Sequence, residues 1–223
     1  VTGVQTCALP ILQDVHTGAS GSVTTMLGGT QNVKGNGTIE SMSGGTQDII
    51  SGSGTITNMY SGRQEIESGA YGSITTLNSG FGMQDVYSGA TGSVTTMNGG
   101  RQDLKNGTGY IGTLNADGIQ RMSGSQAYGS VTTMNGGNQV IYYGAHGDVA
   151  TMNGGVQDIG ANGVGSVTTL NGGTQLIIDD SASGKTAVMN GGTQKIVAGS
   201  GSVTTMNGGT QDIISGKIGR AHV

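Results

Sequence analysis

The sequence predicts an all-β chain wound as a parallel β-solenoid (β-helix) of about 11 coils with an 18-residue average repeat. Three observations predict it. A glutamine recurs at Gln13, Gln31, Gln47, Gln64, Gln84, Gln102, Gln120, Gln139, Gln157, Gln175, Gln194 and Gln211, and the spacings average 18 residues. Two residues after each glutamine stands an aliphatic side chain or Met: Val15, Val33, Ile49, Ile66, Val86, Leu104, Met122, Ile141, Ile159, Ile177, Ile196 and Ile213. A second apolar column runs through Met26, Met42, Met59, Leu77, Met97, Leu114, Met134, Met152, Leu170, Met189 and Met206. In each copy it is preceded three residues earlier by Val or Ile, with Thr186 as the exception. These columns override a composition of 46 glycines and one phenylalanine that would otherwise read as disordered.

Each repeat divides into two strands and two corners. The runs Thr-Gln-Asp-Val and Ser-Val-Thr-Thr-Met are rich in β-branched residues and are expected to be short strands. Between them lie Gly-x-x-Gly, as in Gly89-Ala90-Thr91-Gly92, and Asn-Gly-Gly, as in Asn98-Gly99-Gly100. Both are read as turns whose Gly and Asn tolerate left-handed backbone. Length changes fall in these corners: the first is shortened between Gln31 and Gln47, and the second is lengthened by Ser79-Gly80-Phe81-Gly82.

One such unit cannot bury its own apolar face, so successive coils must stack around a shared core. At about 4.8 Å per strand, eleven coils make a rod roughly 50 Å long. Strand parity places each anchor glutamine on the inner side with the aliphatic residue two positions on. A lone buried amide is costly, whereas amides stacked in register bond from coil to coil, so the glutamines are expected to form a ladder. The column Asn78, Asn98, Asn115, Asn135, Asn153, Asn171, Asn190 and Asn207 is expected to do the same at the corner.

The two ends fall outside this pattern. Residues 1–11 read as a translated sequencing adapter, and residues 218–223 as the translation of its reverse complement, with Lys217 at the junction. The expected organisation is therefore adapter-like residues 1–11, a solenoid over 12–216, and adapter-like residues 217–223. Cys7 and Pro10, the only cysteine and proline, belong to the head, so the repeat region has no disulfide or thiol chemistry. Repeat sequence runs almost to both ends without a polar cap, and residues 12–216 alone are expected to stack end to end into oligomers.

The run Ser-Val-Thr-Thr-Met-Asn-Gly-Gly-Thr-Gln-Asp-Ile at 202–213 resembles the strand-loop-strand repeat of AIDA-type autotransporter passengers, and the resemblance covers nearly all of 12–216. It implies a right-handed rod displayed on the bacterial surface, outside the outer membrane. It also implies an adhesin or spacer that contacts host or bacterial cell-surface glycans or proteins, or self-associates, and that is in some members glycosylated on Ser and Thr. The signal peptide and C-terminal outer-membrane barrel of an intact autotransporter are missing from this sequence and are expected in the whole protein.

The residues point away from catalysis. A formal charge of −4 with 10% charged residues leaves no basic patch for nucleic acid. His16 and His146 stand seven coils apart, roughly 34 Å, too far to form one dyad or metal site. No nucleophile elbow, phosphate loop or His-Glu metal motif occurs, and neither a cofactor nor a metal is expected. Following the glutamines, Asp14, Asp48, Glu65, Asp85, Asp103, Asp158 and Asp212 form an acidic column. It reads as a solvated outer face; weak cation binding is the alternative. Tyr71, Tyr128 and His146 occupy equivalent places near the Gly-x-x-Gly corner, with Tyr110 nearby, and are the candidate glycan contacts. Glu40, Gly112, Ala150 and Ala187 interrupt the Thr column and argue against an ice-ordering array. The expected function is a noncatalytic surface adhesin or spacer. The alternative is a fragment of a polysaccharide-degrading β-helix enzyme whose catalytic coils lie elsewhere.

Overall fold

The computed structural model describes residues 4–6, 11–215 and 217–218, and these contain strands and turns but no helix. They form a parallel β-solenoid in which each strand pairs with the equivalent strand about one repeat away. The register follows the sequence columns. Gln84 pairs with Gln102 and Val86 with Leu104, while Met97 pairs with Leu114 and Val131 with Val149. Of the adapter-like ends, residues 1–3, 7–10 and 219–223 lie outside the described residues, as does 216. Val4–Thr6 and Lys217–Ile218 add short parallel pairings to the stack.

Each coil presents a Gln strand and a Met strand. Over 11–33 and 128–170 these are separate, as in Tyr128–Met134 followed by Asn138–Tyr142. Elsewhere they are continuous rather than two short runs. Thr91–Lys105 passes through the Asn-Gly-Gly corner, and Thr174–Met189 passes through the other corner. Pairing to the coils on either side holds the backbone extended through a bend that local sequence alone would break. The long corner at 79–82 is absorbed as a register shift between Leu77 and Met83.

The core is two apolar stacks. Val23, Met26 and their equivalents through Val203 form one, and Val33 through Ile196 with Ala70, Ala90, Ala127, Ala145 and Ala182 form the other. The glutamines fill the interior that these clusters leave, and every member of the column from Gln31 to Gln194 is fully buried. Each Nε2 donates to Oε1 of the glutamine one coil earlier over 2.6 to 2.8 Å, without a gap from Gln13 to Gln211. Many also donate to a carbonyl of the facing Met strand, as Gln157 does to Gly147 at 3.2 Å and Ser166 at 3.1 Å. The ladder thus ties coil to coil and strand to strand. The asparagines form a second, exposed ladder from Asn78 to Asn207.

One turn assignment is corrected. Gly89, the first glycine of Gly-x-x-Gly, has φ of 75° and is a true left-handed turn residue. Gly92, the second, is not in that region. It is glycine because a Cβ there would lie 2.5 Å from Val86 Cγ2 and 2.8 Å from Gln84 Oε1. The Gly column therefore makes room for the glutamine ladder rather than bending the chain.

The two ladders should respond differently to mutation. Gln102→Leu removes the ladder partners of Gln84 Oε1 and Gln120 Nε2 inside the core, at a cost of about 2–5 kcal/mol. Asn153→Ala leaves its neighbours to water and should cost less than about 1 kcal/mol. Urea unfolding followed by circular dichroism checks this, with a large fall in midpoint expected only for the glutamine variant.

Candidate functional site

With the inner faces filled, chemistry is confined to the outward faces of the two strand stacks. On the Met-strand face the column that begins each strand reads Tyr71, Thr91, Thr108, Tyr128, His146. Two columns over stands Ser93, Tyr110, Ser130, Asp148. The structure therefore brings Tyr110, Tyr128 and His146 together and leaves Tyr71 apart, with Thr91 and Thr108 between it and Tyr128. The Tyr110 and Tyr128 rings meet edge to face at 6.4 Å. Tyr71 and Tyr110 are exposed and Tyr128 is half-buried.

Hydrogen bonds fix these rings in place. Tyr71 shares a bond with Ser93 Oγ at 2.9 Å, and the Tyr128 hydroxyl donates to Asp148 Oδ2 at 2.8 Å. Ser166 also donates to Asp148. Burial first, and then the bond to Asp148, push the Tyr128 phenol up to about 12. A groove of about 250 Å³ runs beside this cluster, past Ser130, Asp148 and Ser166.

The Gln-strand face holds the acidic column, and here the expectation of a solvated face fails at Asp85 and Asp103, while Asp14 and Asp212 are exposed. Register does place Asp48 beside Glu65 and Asp85 beside Asp103. Yet Asp85 and Asp103 are buried, at 1% and 4% exposure. Cations from their own and neighbouring coils cover them. Arg63 Nε lies 2.6 Å from Asp85 Oδ2 and Lys105 Nζ 2.9 Å from Oδ1. Arg121 reaches both oxygens of Asp103, at 3.2 and 3.3 Å. Arg101 Nε stands 2.7 Å from the same carboxylate, as an ion pair without the alignment of a hydrogen bond.

Tyr87 closes this lattice, accepting from Arg63 at 3.4 Å with Lys105 4.8 Å above its ring. Burial alone would lower Arg63 and Lys105, but the hydrogen bond and charge of Asp85 outweigh it and hold both above their ordinary values. Asp48 has no such cover. Burial raises its carboxyl, and its Oδ1 is buried with no hydrogen-bond partner among the described residues.

Further along the same face, Tyr142 donates to Asp158 Oδ2 at 2.9 Å and lies beside Tyr143 with ring centroids 6.2 Å apart. Burial and then Asp158 push the Tyr142 phenol up to about 12. Arg121, Ser123, Val140, Tyr142 and Tyr143 line a groove of about 480 Å³. Sequence reasoning missed this group because it follows no column. Its available signal was the double tyrosine at a position where other coils vary among Lys105-Asn106, Ser123-Gly124 and Gly160-Ala161. His16 lies with Asp14, Asn32 and Lys34 at a separate groove of about 220 Å³, remote from His146.

The fold and these faces define a β-solenoid repeat protein with structured outer surfaces. The chain matches no protein-family model, no curated protein and no solved structure.

The two raised phenols have a pH consequence. Both stay protonated in the fold where a free tyrosine, near 10, has ionised, so they favour folding fully below pH 10 and cease to do so as pH climbs through about 12. Tyrosinate absorbance should show two late-ionising phenols, and thermal stability should fall across that window. The Tyr128→Phe, Tyr142→Phe double variant should lose the late phase and show a shallower fall.

Proposed function

We propose that this chain is a noncatalytic segment of a surface-displayed, autotransporter-type passenger, serving as an adhesin or as the spacer that carries one. The observation that carries the reading is the glutamine ladder, unbroken from Gln13 to Gln211. It supports a rod in which every coil is bonded to the next while both outer faces stay free for contact along its length. The repeat at 202–213 supplies the resemblance to AIDA-type passengers.

The carboxylates add to this reading. Asp85 and Asp103 are each buried between two cations, an arrangement that occupies their oxygens and leaves them no open approach to a substrate. The partners that fit such faces are cell-surface glycans or proteins, or a second copy of the rod. The place that fits is outside the cell, tethered through an outer-membrane barrel elsewhere in the whole protein.

Display tests the proposal. Residues 12–216 placed between a secretion signal and an outer-membrane barrel should raise cell–cell aggregation, or attachment to glycan-coated surfaces, above that of cells displaying the barrel alone. Indistinguishable settling and attachment would leave only the spacer role. Release of reducing ends from polysaccharides by the purified chain, abolished by Asp85→Asn with Asp103→Asn, would overturn the noncatalytic reading.

A further inference from the structure

Tyr143 is the least expected residue of the outer surface. Its φ is 57°, and among the described residues the other non-glycine residues with positive φ are Asn106 and Asn162. Asparagine tolerates that region, whereas a bulky aromatic side chain there is a genuine outlier. Corner residues of other coils with this backbone include Gly89 and Gly124. Packing does not offset the strain, because the side chain is 69% exposed. A strained, exposed aromatic ring beside a groove is the kind of feature that function retains.

The groove supplies the chemistry. At about 480 Å³ it lies in the range of small-molecule sites, about 300–1,000 Å³. The Tyr142 and Tyr143 rings, both on its wall, are tilted 46° to one another and form an apolar cradle. Asp158 fixes Tyr142 through its hydroxyl, so that ring is held before any ligand arrives. Arg121 lines the same groove, half-exposed. It shares Asp103 with Arg101, so two guanidinium groups face that one carboxylate, while Asp158, two coils along the same column, is engaged by the Tyr142 hydroxyl. All three arginines among the described residues, Arg63, Arg101 and Arg121, belong to this face, on a chain of net charge −4.

We infer that this groove binds an acidic sugar, with the apolar face of a pyranose stacked on Tyr143 and its carboxylate paired to Arg121. Tyrosine offers a flat apolar body to ring C–H groups and a polar rim to hydroxyls. Arginine fits a carboxylate through two parallel N–H donors. A neutral sugar would leave the exposed Arg121 guanidinium with no carboxylate of its own, and a small carboxylate alone would leave the ring cradle empty. The inference goes beyond the adhesive reading, since it concerns a face that the candidate residues Tyr71, Tyr110, Tyr128 and His146 do not touch.

Calorimetric titration of the full chain tests it, using tri-galacturonate, tri-mannuronate and a glucuronate-containing disaccharide as probes. Binding of at least one is expected, about tenfold or more weaker for its methyl ester, and undetectable for acetate at the same concentration. Tyr143→Gly suits the left-handed backbone and should keep or raise the melting temperature while losing at least tenfold in affinity. Arg121→Gln should lose as much for the acid and nothing for the ester. Failure of all three probes, equal binding of acid and ester, or unchanged affinity in Tyr143→Gly would overturn the assignment. Displayed cells that still adhere would show such a failure to be the groove's alone.

Discussion

Buried amides are costly when unpaired and stabilising when both their donor and acceptor are met, and that constraint organises this chain. Each anchor glutamine from Gln31 to Gln194 donates its Nε2 to the coil before and accepts at its Oε1 from the coil after. A shift of one residue in any strand would turn the amide outward and an acid or Thr inward. Register is therefore specified at every coil, beyond what the apolar columns alone require. The same constraint explains why glycine stands opposite the glutamine: Gly72, Gly92 and Gly165 each face a glutamine Oε1 that would lie 2.8 or 2.9 Å from a Cβ. Corners make no such contact with the ladder, and they absorb every change in repeat length.

Once the interior is held this way, the outward positions are free to vary, and variation there makes the surface distinctive. The Gln-strand face carries a lattice in which Arg63, Lys105, Arg101 and Arg121 cover Asp85 and Asp103. Ion pairs on a surface usually contribute little, but these acids are almost fully buried, so removing both cations of either acid would strand a charge. The lattice keeps a run of like charges from opposing the stacking of its coils. Beyond it the face changes to tyrosines and an open groove. On the Met-strand face Asp148 organises Tyr128 and, through it, the contact with Tyr110.

The parts of this structure that repeat were legible in the sequence. Both ladders, both apolar columns and the partition of insertions into corners follow from periodicity and strand parity. The second glycine of Gly-x-x-Gly was misread because turn chemistry and close packing demand the same residue, and only the position of Gln84 Oε1 tells them apart. Burial of Asp85 was hidden for another reason. Its cations come from 22 residues earlier and 20 later, on columns either side of its own, so no local window contains the site. Tyr143 was missed because its significance lies in a backbone angle. Tyr71 was joined to Tyr128 by motif position, whereas the stack sets Thr91 and Thr108 between them.

The central claim is that one continuous amide ladder runs through the rod. Side-chain amide exchange, followed by NMR on a chain labelled at glutamine nitrogen, addresses it directly. Gln126 lies exposed on a corner and serves as an internal reference. The account predicts that the anchor glutamines from Gln31 to Gln194 exchange orders of magnitude more slowly than Gln126, because their protons are released only when coils separate. Exchange of the anchor amides at the rate of Gln126 would mean that the ladder does not exist in solution.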